Sequence, residues 1–280
     1  MPDAPKTKAP VGDLATYVCT DFSDGVDTRP VYRKGTGPTV IVITEMPGIS
    51  PQVVGFADQV ANLGLSVALP HMFGTAGRDP EAGGRLSSSL YGLGSITRAC
   101  ISREFSVLAA GKTSPIVTWL RALARAEHER CGGPGVGVIG MCFTGGFALA
   151  MAADERVLAP VLSQPSLPFP ITKKMRRSID CSPADLDLVA RRCAAEGLEV
   201  LGLRFHGDKF SPAERFEFLR EQLGDGFVSV ELDQADGHPE SPLPFHHSVV
   251  TVDLIDEPGQ PTRRALDQVL DLFKTKLLPA

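Results

Sequence analysis

The sequence predicts an α/β protein built on a doubly wound, mostly parallel β-sheet with helices on both faces. Short apolar runs rich in β-branched residues alternate with helical segments along almost the whole chain, and this alternation is typical of βαβ units. Several of the apolar runs are also continuous, as expected for central parallel strands that are buried on both faces.

The predicted strands follow one another in regular order. "TYVCT" and "RPVYRKG" are short opening strands that we expect to form an antiparallel edge, and "PTVIVIT" (38–44) predicts a central strand. Further strands are predicted at "LSVALP", "GVGVIGM", "VLAPVLS", "EVLGLRF" and "FVSVEL".

Four Ser-Pro pairs predict helix starts, because serine can cap the first turn and proline has no N–H to leave unpaired. These pairs begin at Ser50, Ser114, Ser182 and Ser211, and they predict helices over about 51–63, 115–130, 183–196 and 212–223. In "SPAE" (211–214), the glutamate at the third helical position predicts a capping box. The segment "PTRRALDQVLDLFKTKL" predicts a final amphipathic helix.

We expect a single domain over residues 1–280, because no linker or internal repeat divides the chain. The polar, proline-rich residues 1–12 are a candidate for disorder. Residues 74–113 are rich in Gly and Ser and interrupt the alternation. A segment of this length between a strand and its helix is usually a lid or pocket wall, and a partly helical surface excursion is the alternative.

The composition excludes several classes of function. Hydrophobic residues make up 43% and charged residues 22%, which is ordinary for a globular protein. The net charge of −5 argues against nucleic acid as a partner. No apolar run is long enough for a membrane helix, and the first residues lack the apolar centre of a signal peptide, so we expect a cytoplasmic protein without a membrane partner. The six cysteines lack zinc-type spacing, so no metal site is predicted.

Cys142 lies at the corner of "GVGVIGMCFTGGFALAMA" (135–152), where a strand passes into an alanine-rich helix. This placement is typical of a nucleophile elbow, in which glycines such as Gly140, Gly145 and Gly146 stand where Cβ atoms would clash. The corner would expose the sulfur at the carboxyl end of the sheet, beside a helix N-terminus that favours the thiolate. It would also aim backbone amides at a developing oxyanion. A structural cysteine in a tight turn is the alternative.

Residues 135–140 also match the dinucleotide pattern G-x-G-x-x-G. That fingerprint needs its glycines after the strand, where the backbone turns towards a pyrophosphate. Here Val136, Val138 and Ile139 place the glycines inside the strand. We therefore predict no nucleotide site and no cofactor.

A nucleophile of this kind needs a histidine base and an orienting carboxylate, in the chain order nucleophile, acid, histidine. Asp208, in the turn after the strand that ends at Phe205, is the candidate acid, although aspartate is common in turns. The loop after the last predicted strand supplies His238, His246 and His247. A solvated proline-rich loop and a metal cluster are the alternatives for this loop.

With these residues the sequence resembles the dienelactone hydrolase family, a cysteine-dependent branch of the α/β hydrolases, over roughly residues 30–278. "GMCFTGG" resembles the family's G-x-C-x-G-G with one residue more, so Thr144 stands where the second small elbow residue would be. "TEMPGI" resembles the glutamate-containing segment and gives Glu45. "HGDKFSP" resembles the acid turn, and "HHSVV" resembles the His-Ser pair, which favours His247 over His246.

The resemblance implies an α/β-hydrolase fold and hydrolysis of a small ester or lactone, similar to carboxymethylenebutenolidase. Cys142 would attack the carbonyl, and His247, held by Asp208, would transfer protons. Glu45 would accept the thiol proton when the substrate arrives. The implied oxyanion hole consists of the backbone N–H groups of Phe143 and Met46.

One departure from the family bears on the substrate. The carboxylate-binding arginine, four residues beyond the histidine, is replaced by Thr251, which disfavours an acidic lactone and leaves a neutral ester open. The candidate substitutes for this arginine are Arg103, Arg98 and the "KKMRR" run (173–177). The candidate residues of the substrate pocket are His71, Arg103, His206 and His246.

The expected partner is therefore a small-molecule ester or lactone, bound by a monomer or homodimer. Two other interpretations remain open. A non-catalytic small-molecule binding protein could keep the same fold, since fold does not fix function. A redox-sensing thiol is also conceivable, but no resolving cysteine is evident in the sequence.

Overall fold

The computed structural model describes residues 6–79 and 110–279. Within these ranges, the strands are β1 (Val18–Ser23), β2 (Thr28–Lys34), β3 (Thr39–Ile43), β4 (Ser66–Pro70), β5 (Val136–Met141), β6 (Val157–Ser163), β7 (Val200–Phe205) and β8 (Phe227–Leu232). The helices are α1 (Pro51–Ala61), α2 (Ile116–Cys131), α3 (Gly145–Met151), α4 (Lys173–Arg176), α5 (Pro183–Glu196), α6 (Ala213–Leu223) and α7 (Pro261–Leu277).

All eight strands belong to one sheet in the order β1-β2-β4-β3-β5-β6-β7-β8. β2 pairs antiparallel with β1 and with β4, and the pairings from β4 through to β8 are parallel. The predicted mostly parallel α/β sheet with an antiparallel edge is confirmed. Because the parallel strands point the same way, the residues that follow β3, β5 and β7 meet at one edge of the sheet.

The core lies on both faces of this sheet. Alternate residues of β3 enter opposite clusters: Ile41 and Ile43 pack with α2 and α3, and Val40 and Val42 pack with α1 and α7. Each fully buried Val or Ile side chain contributes about 1.5–3 kcal/mol by removal from water. Continuous apolar runs in the sequence therefore correspond to strands covered by helices on both sides, as predicted.

The predicted helix starts are largely confirmed. The hydroxyl oxygens of Ser50 and Ser182 accept the backbone N–H groups of Val53 at 3.3 Å and Asp185 at 3.1 Å, as N-caps should. At Ser114 the helix begins with Ile116 instead, and no side chain caps it.

The capping box predicted for 211–214 is wrong. The Ser211 hydroxyl is buried without a hydrogen-bond partner among the described residues, and no side chain caps α6. Glu214 instead accepts Nε of Arg176 at 2.8 Å. This ion pair draws the carboxylate away from the backbone N–H that a capping box requires.

Residues 6–12 are held against the fold, in contrast to the disorder expected for this stretch. The Thr7 N–H donates to Glu257 Oε1 at 2.7 Å, Lys8 forms an isolated bridge with Ile255, and the Gly12 N–H donates to the Pro51 carbonyl at 2.9 Å. Residues 1–5 and most of the predicted lid (80–109) lie outside the described residues.

None of the helices in the described ranges combines the length and the apolar character that crossing a bilayer requires.

Candidate active site

Cys142 stands directly after β5, at the start of a one-turn 3-10 helix that leads into α3. Its φ of 54° lies in the left-handed region, which is unusual for a residue with a side chain. A Cβ on Gly140 would lie 2.1 Å from the Thr144 carbonyl oxygen, and one on Gly145 would lie 2.5 Å from Cα of Pro165. The corner therefore requires glycine at both positions, as in a nucleophile elbow.

Thr144 fits this corner despite its departure from the family pattern. Its Oγ1 accepts the Met141 N–H at 2.9 Å and donates to the Ile43 carbonyl at 2.8 Å. Ile43 is the last residue of β3. The hydroxyl thus ties the elbow to the strand whose end carries Glu45.

Asp208 and His247, 39 residues apart in the chain, are joined by a hydrogen bond of 2.7 Å between Oδ2 and Nδ1. Both side chains are buried. The other carboxylate oxygen of Asp208 accepts the backbone N–H groups of Phe210 at 2.8 Å and Ser211 at 3.2 Å. These bonds fix the carboxylate in the turn after β7 and aim it at the imidazole.

The imidazole of His247 also interacts with Cys142. Burial disfavours the imidazolium, but the charges of Cys142 and Asp208 and the hydrogen bond to Asp208 outweigh it and hold the pKa of His247 well above its usual 6.5. Nε2 of His247 makes no hydrogen bond with the described residues, including the Cys142 sulfur. Asp208 and His247 are thus joined by a hydrogen bond, whereas Cys142 acts on the imidazole through its charge.

The other two candidate histidines have different partners. His246 Nδ1 lies 2.9 Å from Oδ1 of Asp253, and His238 Nε2 lies 3.2 Å from the Lys6 carbonyl oxygen. The other oxygen of Asp253 accepts the backbone N–H of His247 at 2.7 Å. Asp253 therefore shapes the histidine loop, a role that the sequence analysis missed.

Glu45 is buried just beyond β3 and is held by neutral donors. Its Oε1 accepts the Thr251 hydroxyl at 2.5 Å, and its Oε2 accepts the Ser248 hydroxyl at 2.8 Å and Nε2 of Gln164 at 3.2 Å. Burial raises the pKa of Glu45, although the hydrogen bonds from Thr251 and Ser248 oppose the shift. The threonine in the place of the family's arginine thus binds Glu45 inside the protein.

Ser166 is a site residue that the sequence analysis did not find. Its backbone N–H donates to the Cys142 carbonyl at 2.8 Å, and its hydroxyl lies 3.6 Å from the Cys142 sulfur and 3.0 Å from the Gln164 carbonyl oxygen. No motif marks "SQPS" in the sequence. The one available signal is its position shortly after β6 (Val157–Ser163), at the sheet edge where Cys142 lies.

A cavity of about 450 Å³ opens onto the Cys142 sulfur. Phe143 and Met46, whose backbone N–H groups are the predicted oxyanion hole, both line it. The lining residues Ser166, Phe169, Pro170 and Ile171 lie between two backbone carbonyls, those of Pro165 and Ser178, to which the fully buried Arg215 donates.

The predicted pocket histidines lie near other groups of the protein. His71, His206 and His246 are not among the residues that line the cavity. His71 faces the Gly74 carbonyl oxygen at 3.2 Å, and the exposed His206 lies 3.4 Å from Asp233. A role for these three histidines in substrate binding stays a prediction. Arg103 and Arg98 lie outside the described residues.

Two arginines of the basic run 173–177 form ion pairs. Arg176 pairs with Glu214 at 2.8 Å, and Arg177 pairs with Glu221 at 2.5 Å. Within the described ranges, no group of three His, Cys, Asp or Glu side chains could hold a metal ion.

Comparison with known proteins decides the family. The family model for the dienelactone hydrolase family matches residues 26–199. The chain belongs to the dienelactone hydrolase family. The matched span of this family member includes Glu45 and Cys142 but ends before Asp208 and His247, which are brought to the site by the fold.

Solved structures agree on the α/β-hydrolase fold. A dienelactone hydrolase-like promiscuous phosphotriesterase from metagenomic libraries is 16% identical with a TM-score of 0.59, covering 94% of this chain and 98% of its own. A putative dienelactone hydrolase from Klebsiella pneumoniae is 15% identical with a TM-score of 0.51, covering 93% and 98%. A dienelactone hydrolase from Anabaena variabilis is 16% identical with a TM-score of 0.52, covering 93% and 98%. No curated protein sequence matches the chain.

Proposed function

We propose that this member of the dienelactone hydrolase family hydrolyses a small ester or lactone through a Cys142-His247-Asp208 triad. The observation that carries the proposal is the 2.7 Å bond from Asp208 to His247, together with the position of Cys142 at a strained elbow that lines a cavity. A carboxylate, an imidazole and a nucleophile are the three groups that an acyl-transfer site of this kind requires.

The proposed reaction begins with formation of the thiolate. A free cysteine has a pKa near 8.5, so at neutral pH the thiol proton must pass to a nearby base. His247 is one acceptor, because Asp208 stabilises its imidazolium form. Glu45 is proposed as a second acceptor when the substrate arrives, because burial raises its pKa and so makes its carboxylate a stronger base.

The thiolate of Cys142 then attacks the carbonyl carbon. A C–S bond forms and the carbonyl electron pair moves to oxygen, where the N–H groups of Phe143 and Met46 would stabilise the charge, each donor contributing about 10²–10³ in rate. The C–O bond breaks, and the leaving alkoxide takes a proton from His247. Water, deprotonated by His247, hydrolyses the acyl-cysteine and returns the thiol with release of the acid.

The decisive experiment is mass spectrometry of the protein mixed with p-nitrophenyl acetate, combined with steady-state kinetics. We expect a transient acyl adduct on Cys142 and loss of turnover in Cys142→Ala. Asp208→Asn and His247→Ala should each lower kcat by about 10²–10⁴.

His246→Ala is the matched control, because it removes an adjacent histidine that has its own aspartate partner. We expect it to retain kcat within about tenfold. Unchanged hydrolysis in Cys142→Ala would refute the triad, and a larger loss in His246→Ala than in His247→Ala would reassign the base.

A spectroscopic measurement tests the link between sulfur and imidazole without any substrate. The charge of Cys142 helps to raise the pKa of His247, so Cys142→Ala should lower that pKa. NMR titration of the imidazole nitrogens in the two proteins measures the shift. An identical His247 titration in both would show that the sulfur does not act on the ring.

A further inference from the structure

The cavity beside Cys142 is walled almost entirely by apolar side chains. Among the described residues, its apolar lining consists of Met46, Phe143, Phe169, Pro170, Ile171 and Phe210. The Phe143 and Phe169 rings meet edge to face at 6.4 Å between centroids. This lining continues to the mouth, where Ile171 is 72% exposed. An apolar surface that remains exposed beside a nucleophile is suited to an apolar part of a substrate.

Among the described residues, the cationic groups near the cavity are bound to other partners or face water. Arg215 is fully buried and donates to backbone carbonyls, including that of Phe210, and Arg204 pairs with Glu231 at 2.6 Å. Lys209 is the charged residue among the described residues that line the cavity, and it is exposed, with Nζ 5.7 Å from the centre of the Phe245 ring.

A substrate carboxylate inside this cavity would lack a buried partner among the described residues. Thr251, which replaces the family's arginine, is fully buried and donates to Glu45, so it is not available to a substrate. Removal of a carboxylate from water without an ion pair or hydrogen bonds is strongly unfavourable. An exposed lysine at the rim compensates for little of that loss.

We propose that the site takes esters that carry one bulky, uncharged apolar group, an aromatic ring or a medium-length alkyl chain, and that it disfavours substrates with a carboxylate beside the scissile bond. This inference rests on the proposed hydrolytic function. The volume of about 450 Å³ falls within the usual range for small-molecule sites, and the phenylalanine edges favour flat or linear apolar groups.

The test is a matched substrate series. In the first arm, p-nitrophenyl esters run from acetate through butyrate and pentanoate to hexanoate. In the second arm, the acetyl group is constant and the alcohol grows from methyl to hexyl and benzyl. We expect kcat/KM to rise about fourfold for each added CH₂ in at least one arm. p-Nitrophenyl succinate, close in size to the pentanoate ester, should be slower than that ester by on the order of 10².

Two variants connect this selectivity with the cavity. Ile171→Asp places a charge on an exposed residue that lines the cavity. It should leave folding intact and reduce the increase of kcat/KM with chain length. Val26→Asp is the matched control, because Val26 is 95% exposed and does not line the cavity. We expect the control variant to show the same dependence of kcat/KM on chain length as the wild type.

Three outcomes would overturn the inference. The value of kcat/KM could be independent of chain length in both arms, or the succinate ester could be hydrolysed as fast as the pentanoate ester. The third outcome is that Ile171→Asp leaves the dependence of kcat/KM on chain length unchanged. Each of these still shows Cys142-dependent turnover, so the proposed function would stand. Absence of any acyl adduct and of any Cys142-dependent turnover would instead refute the proposed function itself.

Discussion

Two residues of the site adopt backbone conformations that side chains rarely take. Cys142 has a φ of 54° and Gln164 has a φ of 38°. The first presents the sulfur to the cavity, and the second turns the chain after β6 so that its amide reaches Glu45 at 3.2 Å and its carbonyl faces the Ser166 hydroxyl at 3.0 Å. Strain of this kind, typically about 1–3 kcal/mol per residue, persists where the surrounding structure enforces it.

The Ser166 hydroxyl has one hydrogen and two acceptors within reach, the Gln164 carbonyl and the Cys142 sulfur. A neutral thiol is a weak acceptor, whereas a thiolate is a strong one, because a hydrogen bond to a charged group contributes about 1.5–3 kcal/mol. We therefore expect the hydroxyl to turn towards the sulfur when Cys142 ionises and to stabilise the anion.

Ser166→Ala removes this hydroxyl and keeps the backbone bond to the Cys142 carbonyl. We expect alkylation of Cys142 by iodoacetamide at pH 7 to slow about tenfold or more. The pH profile of the alkylation rate is the measurement. An unaltered thermal midpoint would exclude a general loss of structure, and coincident profiles for the two proteins would contradict the predicted role of the hydroxyl.

The sequence was sufficient to locate site residues that lie just after the end of a strand. Cys142, Asp208 and Glu45 each follow a predicted strand, and parallel strands bring such residues together. The residues that bind Glu45 could not be found this way, because Thr251 and Gln164 are 206 and 119 positions distant in the chain. Their contacts depend on the conformation of two irregular loops, which neither periodicity nor propensity determines.

At the scale of elements, the elbow and β3 act as one unit. The Thr144 hydroxyl is fully buried and connects the Met141 N–H with the Ile43 carbonyl. The sequence predicted both elements from their patterns and placed the helix starts within about two residues of those observed. It did not predict the bond between them, because the family pattern suggests a small residue where Thr144 stands.

Thr144→Val should therefore lower the free energy of unfolding by about 2–3 kcal/mol, because it leaves buried backbone groups without partners while it preserves shape. Thr144→Ser, which retains the hydroxyl, should lose less than about 1 kcal/mol. Equilibrium unfolding in urea measures both. Equal losses in the two variants would show that the methyl group, rather than the hydrogen bonds, holds the elbow to β3.

At the scale of the whole molecule, Asp180 joins parts of the chain that lie on one face of the sheet. Its carboxylate accepts the N–H of Ser114 at 2.9 Å and the hydroxyl of Ser114 at 2.5 Å, just before α2. A Cβ on Gly146 in α3 would lie 3.0 Å from Cβ of Asp180. The sequence marked Ser114 as a helix start but gave no sign that a buried carboxylate 66 residues away would bind it.

Burial raises the pKa of Asp180 to about 7, although the bonds from Ser114 oppose the shift. In the unfolded chain the same carboxyl ionises near its ordinary value of about 3.9. Between these two values the folded protein binds a proton that the unfolded chain has lost. The stability of the fold should therefore decrease as pH rises from about 4 to about 7, and this contribution should become constant above that range.

Asp180→Asn keeps the shape, an acceptor for the Ser114 N–H and a donor for its hydroxyl, but it cannot ionise. We expect the variant to be more stable than the wild type at pH 8, by about 1–4 kcal/mol, and the difference to shrink as pH falls towards 4. Urea unfolding at several pH values measures this difference in stability. Asp187→Asn, which removes an exposed carboxylate from α5, is the control for the change in net charge. A difference independent of pH would mean that Asp180 is ionised in the folded protein throughout this range, with the Ser114 bonds outweighing burial.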